Sequence, residues 1–353
     1  MTSMPPTPKE QILFLRNIQR LLMEGQFTAS YKFALLHAIA DLCVLRGDDS
    51  GAALDLQVKD IGGKFIELYW QQCRPFQVGD QSTGIIIQQN TGRQAAVISK
   101  VIQAQDDFGG SLSRLKQTAP DLWRSLKSSV KRVVNEMPLW KLQTVGSERL
   151  DFLYDNLDAT TTTVTLKPGL AFCFRVFYGL LRDLIQGAWV RFVQRLNAND
   201  LGNLTDLGTF LFDQERSSLE TYKHILLDVQ ERKCFYCQND LLSSVEVDHF
   251  ILWSRYPTDL GHNFVLAHAR CNNSKSDYLE AESHLQSWAQ RNQERADELA
   301  ERLRNANLSH DSSASLRITE WADEQVEKAS GQEWVNDAVF QHLGDAWMEL
   351  LVA

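Results

Sequence analysis

The chain has 353 residues, 44% of them apolar and 23% charged, which excludes a disordered chain and predicts two or three globular domains. A formal net charge of −9 excludes a surface that is basic throughout, so any nucleic-acid contact has to come from a local patch. No apolar run reaches the roughly 18 residues that cross a bilayer, and the polar start MTSMPPTPKEQ does not read as a signal peptide; a cytoplasmic chain with no membrane partner is expected.

Residues 9–24 repeat apolar side chains at helical spacing and predict a first helix. Thr28 or Ser30 can cap a second, through LLHAIADLCVL to near Gly47, and residues 57–72 predict a third. GIIIQQN, residues 84–90, reads as a short strand between Gly84 and the turn Asn90-Thr91-Gly92. Three helices followed by a strand fit either a winged-helix-like unit or a plain helical packing module. Cys43, Cys73 and Cys173 each lie in an apolar stretch and read as buried thiols.

Residues 111–141 form the one strongly basic stretch. Arg114, Lys116, Arg124, Lys127, Lys131, Arg132 and Lys141 stand against only Asp121 and Glu136. A helix face carrying Arg124, Lys127, Lys131 and Arg132, with Trp123 beside it, can lie along a phosphate backbone. A solvated helix face is the other reading. TTTTVTL, residues 160–166, is β-rich, and Pro168-Gly169 follows as a turn. Residues 170–197 are apolar on most sides and predict one long buried helix. Residues 213–232 predict a helix leading into Cys234, and residues 284–307 a charged amphipathic one. HDSSAS, residues 310–315, reads as a flexible joint before two closing helices.

The chemistry concentrates in residues 234–277. Cys234-x-x-Cys237 and His268-x-x-Cys271 repeat one spacing on either side of a compact segment. Clustered Cys and His in a reducing compartment point to metal, and three thiolates with one imidazole make a closed tetrahedral set for a structural zinc ion. Between the pairs, VEVDHF places Val245, Val247 and His249 on one face of a strand. Asn263 follows in a loop, then Asn272 and Lys275 at the start of a helix. A histidine can take a proton from water near neutral pH. A carboxylate and an amide oxygen can hold a hard divalent ion and leave room for water.

These residues resemble the HNH endonuclease family, the zinc-stapled branch of the ββα-metal nucleases. The resemblance runs through C-x-x-C, V-D-H-F, the H-N-F-V-L loop and C-N-x-x-K-S-D, about an eighth of the chain. Its KSD ending is also similar to the HNH domain of the RNA-guided CRISPR nuclease. The resemblance implies that His249 is the general base and that Asp248 with Asn272 holds a catalytic Mg²⁺ or Mn²⁺. It implies that Asn263 braces the loop presenting the histidine, and that Lys275 faces phosphate or braces that loop. Two positions depart from the family pattern: Leu252 stands where many members have proline, and His268 where many have cysteine.

The fold class expected is a mainly α-helical multi-domain protein carrying a small ββα-metal finger with a structural zinc. Its domains would be residues 1–145, helical with a short β element and binding nucleic acid or a partner; 146–232, a helical linker or core segment; 233–285, the nuclease finger; and 286–353, a C-terminal helical segment. The function expected is a metal-dependent endonuclease cleaving phosphodiester bonds in DNA, with RNA left open, in a restriction or phage-defence setting. The alternative is a non-catalytic zinc-stapled nucleic-acid-binding or scaffold subunit of a larger complex. Residues 233–282 carry four basic side chains against seven acidic ones. The finger therefore needs help with a polyanion: from Arg124, Lys127, Lys131 and Arg132, from Arg255, or from a partner protein or second copy that does the targeting.

Overall fold

The computed structural model describes residues 4–77, 84–92, 95–155, 157–158, 160–201, 207–212, 219–242, 244–342 and 348. They fall into two compact units, residues 1–215 and 216–353. The segments read as 1–145 and 146–232 share the first unit up to residue 215, and those read as 233–285 and 286–353 share the second. No described helix is long and apolar enough to cross a membrane.

The N-terminal unit runs α1 (Pro8–Glu24), α2 (Tyr31–Arg46), β1 (Leu54–Gln57), α3 (Val58–Gln72), α4 (Ala96–Phe108), α5 (Leu112–Thr118), α6 (Pro120–Glu136) and α7 (Pro138–Lys141). Short strands β2 (Thr144–Val145), β3 (Glu148–Arg149) and β4 (Thr163–Leu166) follow, then α8 (Leu170–Val176), α9 (Tyr178–Leu196), α10 (Ala198–Leu201) and α11 (Leu207–Phe212). A capping box starts α1: Thr7 N–H donates to Glu10 Oε2 at 2.7 Å, and Glu10 N–H to Thr7 Oγ1 at 3.4 Å. Phe14, Ile18 and Leu21 are its buried stripe. Every residue of α2 from Phe33 to Val44 is buried, because α3, α8 and α9 all pack on it. Ser30 precedes α2 but does not cap it; its hydroxyl pairs with that of Tyr69 at 2.6 Å. Helices α3 and α6 approach closely because Gly62 lacks a side chain. A Cβ there would lie 3.2 Å from both the Lys127 carbonyl oxygen and the Lys131 amide nitrogen. β1 and β4 pair antiparallel, Leu54 opposite Leu166 and Gln57 opposite Thr163, so the β-rich 160–166 stretch does supply a strand.

Two expectations change in this unit. Residues 84–90 are not a strand: only isolated bridges join Ile85 to Phe76 and Asn90 to Ala29. Side chains satisfy the backbone there instead, since the Asn197 amide holds both N–H and C=O of Gln88 at 2.8 and 2.9 Å. Gln89 meanwhile bridges Gln72 and the Trp189 indole. With no such strand, these helices pack as a plain helical module. The long helix over 170–197 is interrupted at Phe177. On either side its anchors differ: Arg175 is bound to Asp49 and the Val44 and Gly47 carbonyls, Tyr178 to Asp41 at 2.8 Å.

The C-terminal unit begins with α12 (Leu219–Val229); residues 213–218 of the helix expected over 213–232 lie outside the described residues. Strand β5 (Val245–His249) pairs antiparallel with β6 (Phe264–His268), Val245 opposite His268 and His249 opposite Phe264. Helix α13 (Ala269–Lys275) packs on both strands and completes a ββα unit. Then come β7 (Leu279–Glu280), α14 (Glu282–Glu294), α15 (Ala296–Asn305), α16 (Ser312–Lys328), β8 (Gln332–Asn336) and β9 (Val339–His342). Trp288 of α14 stacks on Phe250 at 5.0 Å and fixes the helix under the loop after β5.

Here too the structure corrects the sequence. Residues 284–307 form two helices that part at Arg295, whose guanidinium turns aside to the Val229 carbonyl. Residues 310–315 are no joint: Asp311 accepts a hydrogen bond from Ala314 N–H at 2.9 Å and caps α16. After α16 the chain first forms the β8–β9 hairpin; the second closing helix falls on the segment beyond it, where Met348, the one described residue of 343–353, is helical.

Candidate nuclease site

The ligand atoms of Cys234, Cys237, His268 and Cys271 all lie within 4.8 Å of one another. Cys234 N–H donates to the Asn239 carbonyl at 2.9 Å, and Gln238, at φ +59°, lets the chain turn back between them. The second pair is presented by the start of α13. His268 Nε2 lies 3.2 Å from the Asp240 carbonyl, which can only accept. That nitrogen therefore carries the proton, and Nδ1, 3.3 Å from Cys237 Sγ, keeps its lone pair for a metal. Burial pushes the Cys271 thiol up to about 12, and the charges of Cys234 and Cys237 beside it add to the push. Thiolates gathered this closely call for a cation, and the donor set fits zinc.

β5 has two working faces. Glu246 and Asp248 meet α13, while His249 turns to the loop that follows. The Tyr236 hydroxyl donates to Asp248 Oδ2, and the Lys275 ammonium sits 3.3 Å from the same oxygen. Lys275 has 0% of its side chain exposed; it also donates to the His249 carbonyl at 3.0 Å and lies 3.7 Å from Glu280. Asn272 Nδ2 donates to Glu246 Oε2 at 2.8 Å. A carboxylate accepts and never donates, so the amide oxygen of Asn272 is turned away from Glu246. His249 Nε2 lies 2.9 Å from Asp259 Oδ1, its ring in contact with Trp253 at 5.2 Å and Phe264 at 4.6 Å. Asn263 grips Ile251 on both sides, accepting from its N–H at 2.8 Å and donating to its carbonyl at 2.9 Å. The turn after His249 is thereby fixed.

Residues 12–211 match the family model described as Domain of unknown function (DUF8808), and residues 234–278 match the HNH endonuclease model. The first match spans more than half of the sequence. The chain belongs to the DUF8808 family. Its HNH segment coincides with the zinc-type cluster and with the ββα unit just described. No curated protein and no solved structure matches the chain.

Within this HNH segment the expected residues divide into groups. Asp248 and Lys275 meet directly, Asn272 reaches the same strand face through Glu246, and His249 is joined to Lys275 only through its carbonyl. Lys275 braces; a wholly buried ammonium offers nothing to a substrate phosphate. Arg255 is half-buried, with its Nε enclosed without a hydrogen bond and the charges of Asp323, Glu280 and Asp277 acting on it. His262 is buried away from the four metal-type ligands. Burial first, then Arg291 and His310, hold it down at about 4.

The basic stretch lies in the DUF8808 part. Arg124 is exposed and paired with Asp121, and Arg132 is exposed. The ammonium groups of Lys116 and Lys127 sit over the Trp123 ring at 5.1 and 5.4 Å, Lys116 also meeting Glu67 at 2.6 Å.

Three residues of the site went unmarked in the sequence: Tyr236, Glu246 and Asp259. The period of two along β5 already put Glu246 beside Asp248, and Tyr236 sits inside the first Cys pair. Asp259, in PTDLGHN, reads as an ordinary turn residue and gave no signal.

Proposed function

We propose that the C-terminal unit is a metal-dependent endonuclease that hydrolyses phosphodiester bonds in DNA, and that the DUF8808 unit binds the substrate or a targeting partner. The observation that carries this reading is the placing of His249 at the end of β5, its ring held by Asp259 on a loop that Asn263 clamps. Across the strand, Asp248 Oδ1 and Asn272 Oδ1 take no hydrogen bond from any described residue. One carboxylate and one amide oxygen suit a hard divalent ion, and these two residues would hold it. Mg²⁺ or Mn²⁺, when bound, would neutralise charge on the scissile phosphate.

The chain's own residues do the rest. His249 takes a proton from the water whose oxygen bonds to phosphorus. The bond from phosphorus to the 3′ oxygen breaks, and that oxygen takes a proton from solvent water, leaving a 5′-phosphate and a 3′-hydroxyl. Lys275 and Tyr236 fix Asp248 on its strand, and Asn263 keeps the loop from carrying His249 away. The test is purified protein with Mn²⁺ or Mg²⁺ against plasmid, linear, single-stranded and RNA substrates, beside His249→Ala. Cleavage should vanish in the variant while zinc content stays the same, and Asp248→Ala or Asn272→Ala should raise the Mn²⁺ concentration required. A His249→Ala variant that cuts like wild type would sink the mechanism. Zinc retained with no cleavage by wild type would favour the scaffold reading.

A further inference from the structure

We infer that Asp259 is the positioning residue for His249: it keeps the hydrogen on Nε2 and leaves Nδ1 as the atom that receives the proton from water. This deepens the nuclease reading of His249 and rests on it. The carboxylate lies 2.9 Å from Nε2. Asp259 as an anion can only accept, so Nε2 must donate and the lone pair must sit on Nδ1.

Three features separate this pairing from ordinary loop closure. Asp259 is 6% exposed, and its second oxygen is enclosed with no hydrogen bond. A buried carboxylate left half-satisfied costs stability, and a hydroxyl or amide would have closed the loop at a lower cost. Next, the ring has little freedom, in contact with both Trp253 and Phe264. Finally, the backbone fixes the spacing of the two partners. Asn263 N–H donates to the Leu260 carbonyl at 2.8 Å and its side chain clamps Ile251, so the residue after Asp259 and the second after His249 are tied to one asparagine. In the step itself a water O–H bond breaks and an Nδ1–H bond forms. The positive charge that develops on the ring then lies against a carboxylate shielded from solvent, which holds the proton until product leaves.

The experiment uses the zinc-loaded full chain, labelled with ¹⁵N-histidine, with the His249 signal identified by its absence in His249→Ala. The neutral ring should carry its hydrogen on Nε2 in wild type and lose that preference in Asp259→Ala. A wild-type ring protonated at Nδ1 overturns the proposal. In parallel, kcat with Mn²⁺ should fall about 100-fold in Asp259→Ala with KM unchanged, within the range a general base contributes. Asp259→Asn keeps the side-chain volume and carries the same comparison should the alanine variant lose zinc; its kcat should fall too, because an amide no longer offsets the ring's charge. Wild-type kcat in both variants overturns the proposal. A wild type that cuts no substrate would end the nuclease reading, and the ring spectrum would still decide whether Asp259 sets the tautomer.

Discussion

In the N-terminal unit, the buried acids Asp41 and Asp49 and the half-buried Glu67 face basic side chains. Asp49 meets Arg175, Asp41 meets His37 and Lys64, and Glu67 meets Lys64 and Lys116. Burial alone would push Asp41 and Glu67 up, yet their basic neighbours hold both below the ordinary carboxylate range. In the C-terminal unit, Glu280, Asp323 and Glu333 are buried together. Burial pushes Glu280 up to about 8, with Asp248 adding to the push, and lifts Asp323 well above its usual value, with Glu280 and Glu333 adding theirs. The difference is one of purpose. Pairs such as Asp49–Arg175 lock helices at a fixed desolvation cost. In the C-terminal unit the buried ammonium of Lys275 lies between Asp248 and Glu280, and a Glu280 that keeps its proton leaves that positive charge to Asp248.

The sharpest way to break this division is to remove the zinc staple. Cys271→Ser should lose about one zinc per chain by elemental analysis and unfold the C-terminal unit, since structural zinc supplies on the order of 10 kcal/mol to such domains. The helical signal of the DUF8808 unit should survive. His268→Ala is the finer cut: if it retains zinc, the fourth ligand is another residue.

Next in size is Arg175→Met, which strands Asp49 in the core. Leaving one partner of a buried pair costs about 3–5 kcal/mol. The N-terminal unit's melting transition should drop accordingly, with zinc content unchanged. A variant that loses zinc as well would mean the two units are coupled in stability.

A smaller effect should appear in pH dependence. Glu280 has a folded-state pKa raised from 4.5 to about 8 by burial. The protonated form is the one the fold favours, so its contribution is complete below about pH 4.5 and is lost as pH rises through about 8. Denaturant unfolding of the C-terminal unit should therefore weaken over that window, by no more than about 1.4 kcal/mol per pH unit from this group. Glu280→Gln should flatten the slope; an unchanged slope assigns it to another group.

How much of this was legible beforehand depends on what each residue signalled. The zinc-type ligands declared themselves because a tetrahedral site forces a spacing, and Asp248, His249, Asn263 and Asn272 because their chemistry is confined to few residue types. α1, α2 and α3 followed from apolar period, though the Ser30 hydroxyl pairs with Tyr69 instead of capping α2. Residues 84–90 misled because Ile85, Ile86 and Ile87 satisfy a strand pattern locally, while the partner is the side chain of Asn197, more than 100 residues away. The β8–β9 hairpin was hidden among charged helices, although Asn336-Asp337 between Trp334-Val335 and Val339-Phe340 is a turn flanked by β-formers. For Arg255 the sequence gives the charge but not the acids Asp323, Glu280 and Asp277 that act on it.

The smallest expected effect, and the one that joins the two units in function, concerns how an acidic protein holds a polyanion. Arg132 is exposed on α6, and Lys127 and Lys131 are half-buried on the same helix. Each phosphate that a basic side chain neutralises releases condensed counterions. Lys127→Gln/Lys131→Gln/Arg132→Gln should therefore flatten the log–log dependence of duplex binding on salt by about 0.9 units for each phosphate left unneutralised. Affinity should fall alike for all sequences, because backbone contacts carry no base information. Cleavage at saturating substrate should persist, as His249 is untouched. The position of Lys127 over Trp123 argues for a modest share from that residue, since its charge already has a π-face to rest on. Arg132 should then account for more of the slope than Lys127 when the substitutions are made singly. Equal slopes and affinities in wild type and the triple variant would make α6 a solvated face and move substrate binding elsewhere in the DUF8808 unit or to a partner.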